Sequence, residues 1–201
     1  WVSRTTTRKA RKRPANAKRQ LIKFFVRVAL TIRNEGIRHP DLMCNFDQQA
    51  VLVNYSSKHT FEKQGAKQVD GAHKEEKRAW TAVVGFYASG EAIPPQVVMK
   101  GSIARSLPSE TAPRYAEAKD AGITFVKNPK NHWSDLPTLL EYVGGIAARF
   151  MSRKLELGYP KNQACLLMLD CWSVHRGHPF RKAIKERWDW LRLSYVPGGL
   201  T

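Results

Sequence analysis

The chain has 201 residues, 42% of them hydrophobic and 25% charged, and a net charge of +17 from 34 basic and 17 acidic side chains. That length and composition suit one folded domain with a real hydrophobic core and exclude disorder throughout. No apolar run approaches a membrane span and WVSRTTTRKARKRP carries no apolar segment after its charges. Three cysteines, each in or beside an apolar run, make no disulfide scaffold, so an intracellular protein with no membrane partner is expected.

Residues 1–18 show no apolar periodicity and read as an extended arm, with Arg8, Lys9, Arg11, Lys12 and Arg13 as the candidate DNA-binding side chains. Residues 1–40 hold twelve basic residues and one acid, Glu35, while the remainder is much closer to balance. A basic arm on a nearly balanced body points to a polyanion partner, most simply nucleic acid. The plainer alternative is a solvated tail or an import signal in RKARKRP. From Arg19, the helical spacing of Leu21, Phe24, Phe25, Val28 and Ile32 predicts an amphipathic helix that Gly36 and Pro40 end.

Strand signals follow. LMCNFD (42–47) and AVLVNY (50–55) are spaced to form a hairpin through Gln48 and Gln49, and WTAVVGFYASG (80–90) and PPQVVMKG (94–101) a second around Ser89-Gly90-Glu91. The charged stretch between the pairs suits a turn and a short extra strand. Residues 102–122 read as loop with a short helix near 115–121, and ITFVKN (123–128) as a strand. LPTLLEYVGGIAARFMSRKLELG reads as a helix weakened at Gly144-Gly145, and ACLLMLD (164–170) as a buried strand. PFRKAIKERWDW opens a helix with proline, and LRLSYVP (191–197) is a final strand. Hairpins first and β-α-β at the end make an α/β chain with a mixed sheet. No internal repeat is visible.

Two apolar stretches end in aspartate, at Asp47 and Asp170. If their strands are neighbours the carboxylates meet, and paired carboxylates in a basic protein suit hard cations such as magnesium that bind phosphates. Either residue alone reads equally as a strand-ending turn former. Cys165, Cys171, His175 and His178 lie close in sequence, but not at the spacing of a standard zinc module. A Cys171/His175 nucleophile pair has no nameable oxyanion hole or orienting acid.

Six short stretches occur in one order: NFDQQAVLVN, HTFEKQGAKQV, GEAIPPQVVMKG, NHWSD, LLMLDCWSVH and YVPGGLT. Together they make residues 42–201 resemble the catalytic domain of DDE superfamily transposases of the pogo type, the group related to centromere protein B. SRTTTRKARKRP is similar to the basic join that follows the helix-turn-helix region in that family. The resemblance implies a basic arm and linker helix at 1–40 and a ribonuclease H-like domain at 41–201, a mixed sheet with flanking helices. It implies a DNA endonuclease and strand transferase using Mg2+ or Mn2+, with in-line displacement at phosphorus, a DNA partner and a nuclear location. By motif, Asp47 is the first catalytic, metal-binding carboxylate and Asp170 the second. His175 takes a supporting role, orienting the loop or a phosphate.

The pattern also departs from the family. A third acid is expected on the helix after the last strand, just beyond Thr201; Glu186 and Asp189 precede that strand and do not replace it. The chain is therefore expected to be incomplete at its C-terminus, or a decayed copy, with weak or no activity alone. Gln48 stands where an acid is common, and Trp172 is bulkier than the residue usual there. The competing expectation is a non-catalytic DNA-binding or assembly module derived from a transposase. An uncovered last sheet edge adds the expectation of reduced stability or self-association as a homo-oligomer.

Overall fold

The structure is a computed structural model and describes residues 2–5, 14–52, 59–65 and 79–200. Arg8, Lys9, Arg11, Lys12 and Arg13 lie outside the described residues, as do the last four residues of HTFEKQGAKQV and the end of AVLVNY. In chain order the strands are β1 (Val2–Thr5), β2 (Met43–Leu52), β3 (His59–Glu62), β4 (Ala79–Tyr87), β5 (Ala92–Lys100), β6 (Thr124–Asn128), β7 (Cys165–Leu169) and β8 (Leu191–Tyr195). The helices are α1 (Ala17–Asn34), α2 (Tyr115–Asp120), α3 (Leu136–Glu156), α4 (Ser173–Arg176) and α5 (His178–Arg187). β1 and β3 pair with each other, and the other six strands form one sheet in the order β6-β5-β4-β2-β7-β8.

Two connection types set that order. β2, β4 and β5 form an antiparallel meander, whereas β6 runs parallel to β5, β7 to β2 and β8 to β7. Parallel neighbours need crossovers, which α2, α3 and the α4–α5 pair supply. The result is a mixed, helix-flanked α/β sheet, as the sequence pattern leads one to expect.

Three expectations change. The first predicted hairpin is a single ten-residue strand, because Gln48 and Gln49 are not turn formers and pair directly with Val83 and Ala82 of β4. α3 passes unbroken through Gly144-Gly145, where Trp188 approaches the Gly144 position to 3.7 Å. Tertiary packing overrides the weak helix propensity of glycine there. On α1, Phe24 is buried while Val28 and Ile32 pack on the core, but Phe25 is 61% exposed, so the buried stripe is narrower than the spacing suggested.

The core lies between the sheet and α3. Val83, Val98, Leu167 and Leu169 from the strands meet Leu139, Val143, Ile146 and Phe150 from the helix. A capping box between Asp135 and Thr138 starts α3, and Pro137 fits its first turn. Gly85 has a separate reason: a Cβ there would sit 2.5 Å from the Asn45 carbonyl oxygen and 2.7 Å from Phe46 Cβ, so β2 and β4 close up only over a glycine. α1 is tied to the body by Gln163 Nε2, which donates to the Glu35 carbonyl at 3.0 Å, and by Arg192 Nε, which donates to Glu35 Oε1 at 2.8 Å.

Candidate active site

The pairing of β2 with β7 decides where the two aspartates fall. Met43, Cys44 and Asn45 lie opposite Leu166, Leu167 and Met168 in a parallel ladder. Continuing that register by two residues brings Asp47 level with Asp170, on strands spaced about 4.8 Å apart. Alternation along β2 buries Cys44 and Phe46 and leaves Asn45 and Asp47 exposed. On β4, Val84 and Phe86, the partners of Asp47 and Asn45, are exposed as well. Asp47 therefore stands on an open face of the sheet, with its Oδ1 accepting from the Gln48 amide at 2.7 Å.

Asp170 sits where β7 ends and the chain turns into α4. The turn carries His175 back against it: Nδ1 lies 2.6 Å from Asp170 Oδ1. The imidazole is 1% exposed and meets the rings of Phe46, Trp172 and Phe180. Tyr195 Oη donates to the His175 carbonyl at 2.8 Å, which ties α4 to the end of β8. Burial pushes the His175 pKa below its ordinary value, opposed by the hydrogen bond to Asp170 and by the charges of Asp170 and Asp47. A neutral ring facing a carboxylate donates from Nδ1, so Nε2 carries the lone pair; that atom is buried and has no partner.

No protein-family profile matches this sequence, and no curated protein matches it. Solved structures similar to this chain include the Mos1 mariner paired end complex with Mn, at 10% identity and a TM-score of 0.47, covering 98% of this chain and 47% of that one. A pre-cleavage Mos1 transpososome is similar at 9% identity and a TM-score of 0.48, covering 96% and 46%. The Mos1 strand transfer complex is similar at 11% and 0.44, covering 96% and 45%. The chain thus spans about half the length of the solved chains it matches.

Among the described residues, no group of three or more His, Cys, Asp or Glu side chains is placed to hold a metal ion. The zinc arrangement is not formed. Cys165 is fully buried at the start of β7, and Cys171 Sγ bonds the Val196 carbonyl at 2.9 Å instead of facing His175. That contact also removes Cys171 as a partner for a histidine-activated nucleophile.

Two features of the site have no local sequence signal. Gln48 Oε1 accepts from the Ser134 amide at 3.4 Å, which joins the loop before α3 to the strand bearing Asp47. The Tyr195 contact with the His175 carbonyl joins residues twenty apart. The stretch NHWSD marks the first position as a motif only.

Proposed function

We propose that this chain is the catalytic portion of a DDE transposase of the pogo type, or of a gene derived from one. It acts as a metal-dependent DNA endonuclease and strand transferase in the nucleus. The observation that supports the reading is the parallel register of β2 and β7, which, continued beyond Asn45 and Met168, brings Asp47 level with Asp170, with His175 braced against the second.

The donor set fits a hard divalent cation. Both side chains offer only oxygens, Asp47 is exposed and Asp170 is 31% exposed, and magnesium is held by one or two carboxylates while keeping several waters. Asp47 and Asp170 would hold Mg2+ or Mn2+, which when bound supplies Lewis-acid stabilisation of charge on phosphodiester oxygens. The chain's own residues do the positioning. His175 occupies one oxygen of Asp170 and fixes the carboxylate plane, the Gln48 amide does the same for Asp47, and the excess of lysine and arginine draws in the phosphate backbone.

One observation favours a second reading, a DNA-binding or assembly module without catalysis: among the described residues no third carboxylate joins Asp47 and Asp170 in a group placed to hold a metal ion. Titration with Mn2+ and Mg2+ of the wild-type chain, Asp47→Asn and Asp170→Asn, followed by nicking of supercoiled DNA, separates the two. Metal binding lost in both variants, with nicking by the wild type, is the expected result. DNA binding that falls with salt but ignores divalent ions, with no nicking, would replace the catalytic reading by the second one.

A further inference from the structure

A pocket of about 400 Å3 opens between β5 and α3, and neither Asp47, Asp170 nor His175 lines it. Three features of the chain hold it open. β6 pairs with β5 only from Gln96 onward, so among the described residues no strand of β6 lies beside residues 92–95. Pro94 and Pro95 have no N–H with which to recruit one. On α3, Glu141, Gly145 and Arg149 form a row of i, i+4 neighbours along the pocket mouth. A Cβ at Gly145 would meet nothing within 4 Å, so this glycine serves no close packing and its missing side chain leaves the mouth clear.

The walls are apolar and neutral, and the charge sits at the rim. Ile93, Ile146, Tyr87 and Tyr142 are buried around the interior. Burial pushes both phenols above their ordinary pKa, so they stay neutral. Gln96 is 1% exposed, and its Nε2 donates to the Thr138 carbonyl at 3.2 Å, which fixes the amide and leaves Oε1 an acceptor only. Neither that oxygen nor Tyr142 Oη has a partner, and both are closed to solvent, so bulk water does not supply the missing donor. A buried acceptor left unpaired is costly, and the two side chains that carry these oxygens both line the pocket, the direction from which a donor comes within reach. At the rim, Arg149 Nη2 donates to Glu91 Oε1 at 2.7 Å, Glu141 is exposed two turns before Arg149, and Thr124 adds a neutral hydroxyl. Two carboxylates against one guanidinium make the mouth locally acidic in a chain of net charge +17.

We propose that this pocket binds a small aromatic cation whose ring carries an N–H donor, with the ring between β5 and α3 and the positive group at Glu141. The site stands apart from the two aspartates and does not rest on the DNA-processing reading. Each part of the ligand answers a feature of the pocket. The volume and the apolar, tyrosine-bearing walls suit a flat ring, and a largely preformed cavity of this size is the usual form of a small-molecule site. The N–H complements the wall that holds the unpaired Gln96 oxygen, and an isostere without it leaves that acceptor unpaired. The second carboxylate favours positive over negative charge, modestly, because the rim is exposed to solvent.

The test is calorimetric titration of the full chain with tryptamine, 1-methyltryptamine and indole-3-acetate. Saturable, single-site binding of tryptamine is expected, roughly tenfold weaker binding of the methylated ring, and weaker binding of the acetate. Glu141→Gln should lower tryptamine affinity by roughly two- to fivefold. Gly145→Leu sets a side chain across the mouth while replacing glycine by a better helix former, so it should fold and bind no tryptamine. The ligand series reads the same site in wild type and needs no variant to fold. Absence of saturable binding, equal affinity for the methylated ring, preference for the acetate, or unchanged binding by a folded Gly145→Leu chain each overturns the proposal. A basic peptide presenting one tryptophan and binding roughly tenfold tighter than tryptamine would assign the pocket to a protein partner and also overturn it. Asp47→Asn and Asp170→Asn should bind tryptamine as wild type does, so failure of the pocket and failure of the catalytic reading are seen separately.

Discussion

His175 is the residue on which the site's order depends. It is almost fully buried, touches three aromatic rings and donates to Asp170, so truncation removes packing and a hydrogen bond at once. His175→Ala is expected to cost about 2–4 kcal/mol of stability, read as a lower urea midpoint at unchanged slope. A cost under about 0.5 kcal/mol would mean that the ring is not clamped as described. Asp170→Asn leaves the packing in place and should be milder. The two aspartates stand out in the sequence because each ends an apolar run, although β2 continues past Asp47 to Leu52. The brace between Asp170 and His175 does not: five residues separate them, and only the turn at the end of β7 brings the ring back.

At the scale of elements, the closeness of β2 and β4 determines how the site-bearing strand lies. Gly85 permits it, since any Cβ there meets backbone oxygen at 2.5 Å, and a carbonyl in a ladder has little freedom to move. Gly85→Ala is expected to destabilise the chain by about 2–3 kcal/mol in thermal or urea unfolding, whereas a neutral result would require the two strands to separate locally without cost. Strand type was legible from apolar runs, and the hairpin of β4 and β5 from its Ser-Gly-Glu turn. β2 was misread as a hairpin because two glutamines interrupt its apolar pattern. Gln49 lies on the open face and Gln48 on the other, where it accepts from the Ser134 amide, and two adjacent polar residues look like a turn when only the apolar pattern is consulted. The prolines of β5 could likewise have argued against a central strand. They are tolerated because the ladder with β4 shifts register between Val83 and Gly85, and pairing with β6 starts only at Gln96.

At the scale of the whole molecule, sheet order was the least legible feature, since parallel pairing of β2 with β7 joins residues more than 120 apart and leaves no local trace. Charge is the opposite case, fully visible in composition and acting at long range. With a net charge of +17, the DNA affinity proposed for this protein would be an electrostatic quantity. Each phosphate neutralised contributes a slope of about −0.9 to the logarithm of affinity against the logarithm of salt concentration. If the five basic residues Arg8, Lys9, Arg11, Lys12 and Arg13 each contact one phosphate, replacing all five by glutamine should flatten the measured slope by about 4.5. Fluorescence anisotropy with a duplex between about 50 and 200 mM salt measures this directly. An unchanged slope would move the DNA contact from the arm to the body of the domain. There, Lys18, Arg19, Lys23, Arg27 and Arg33 of α1 supply a second concentration of positive charge.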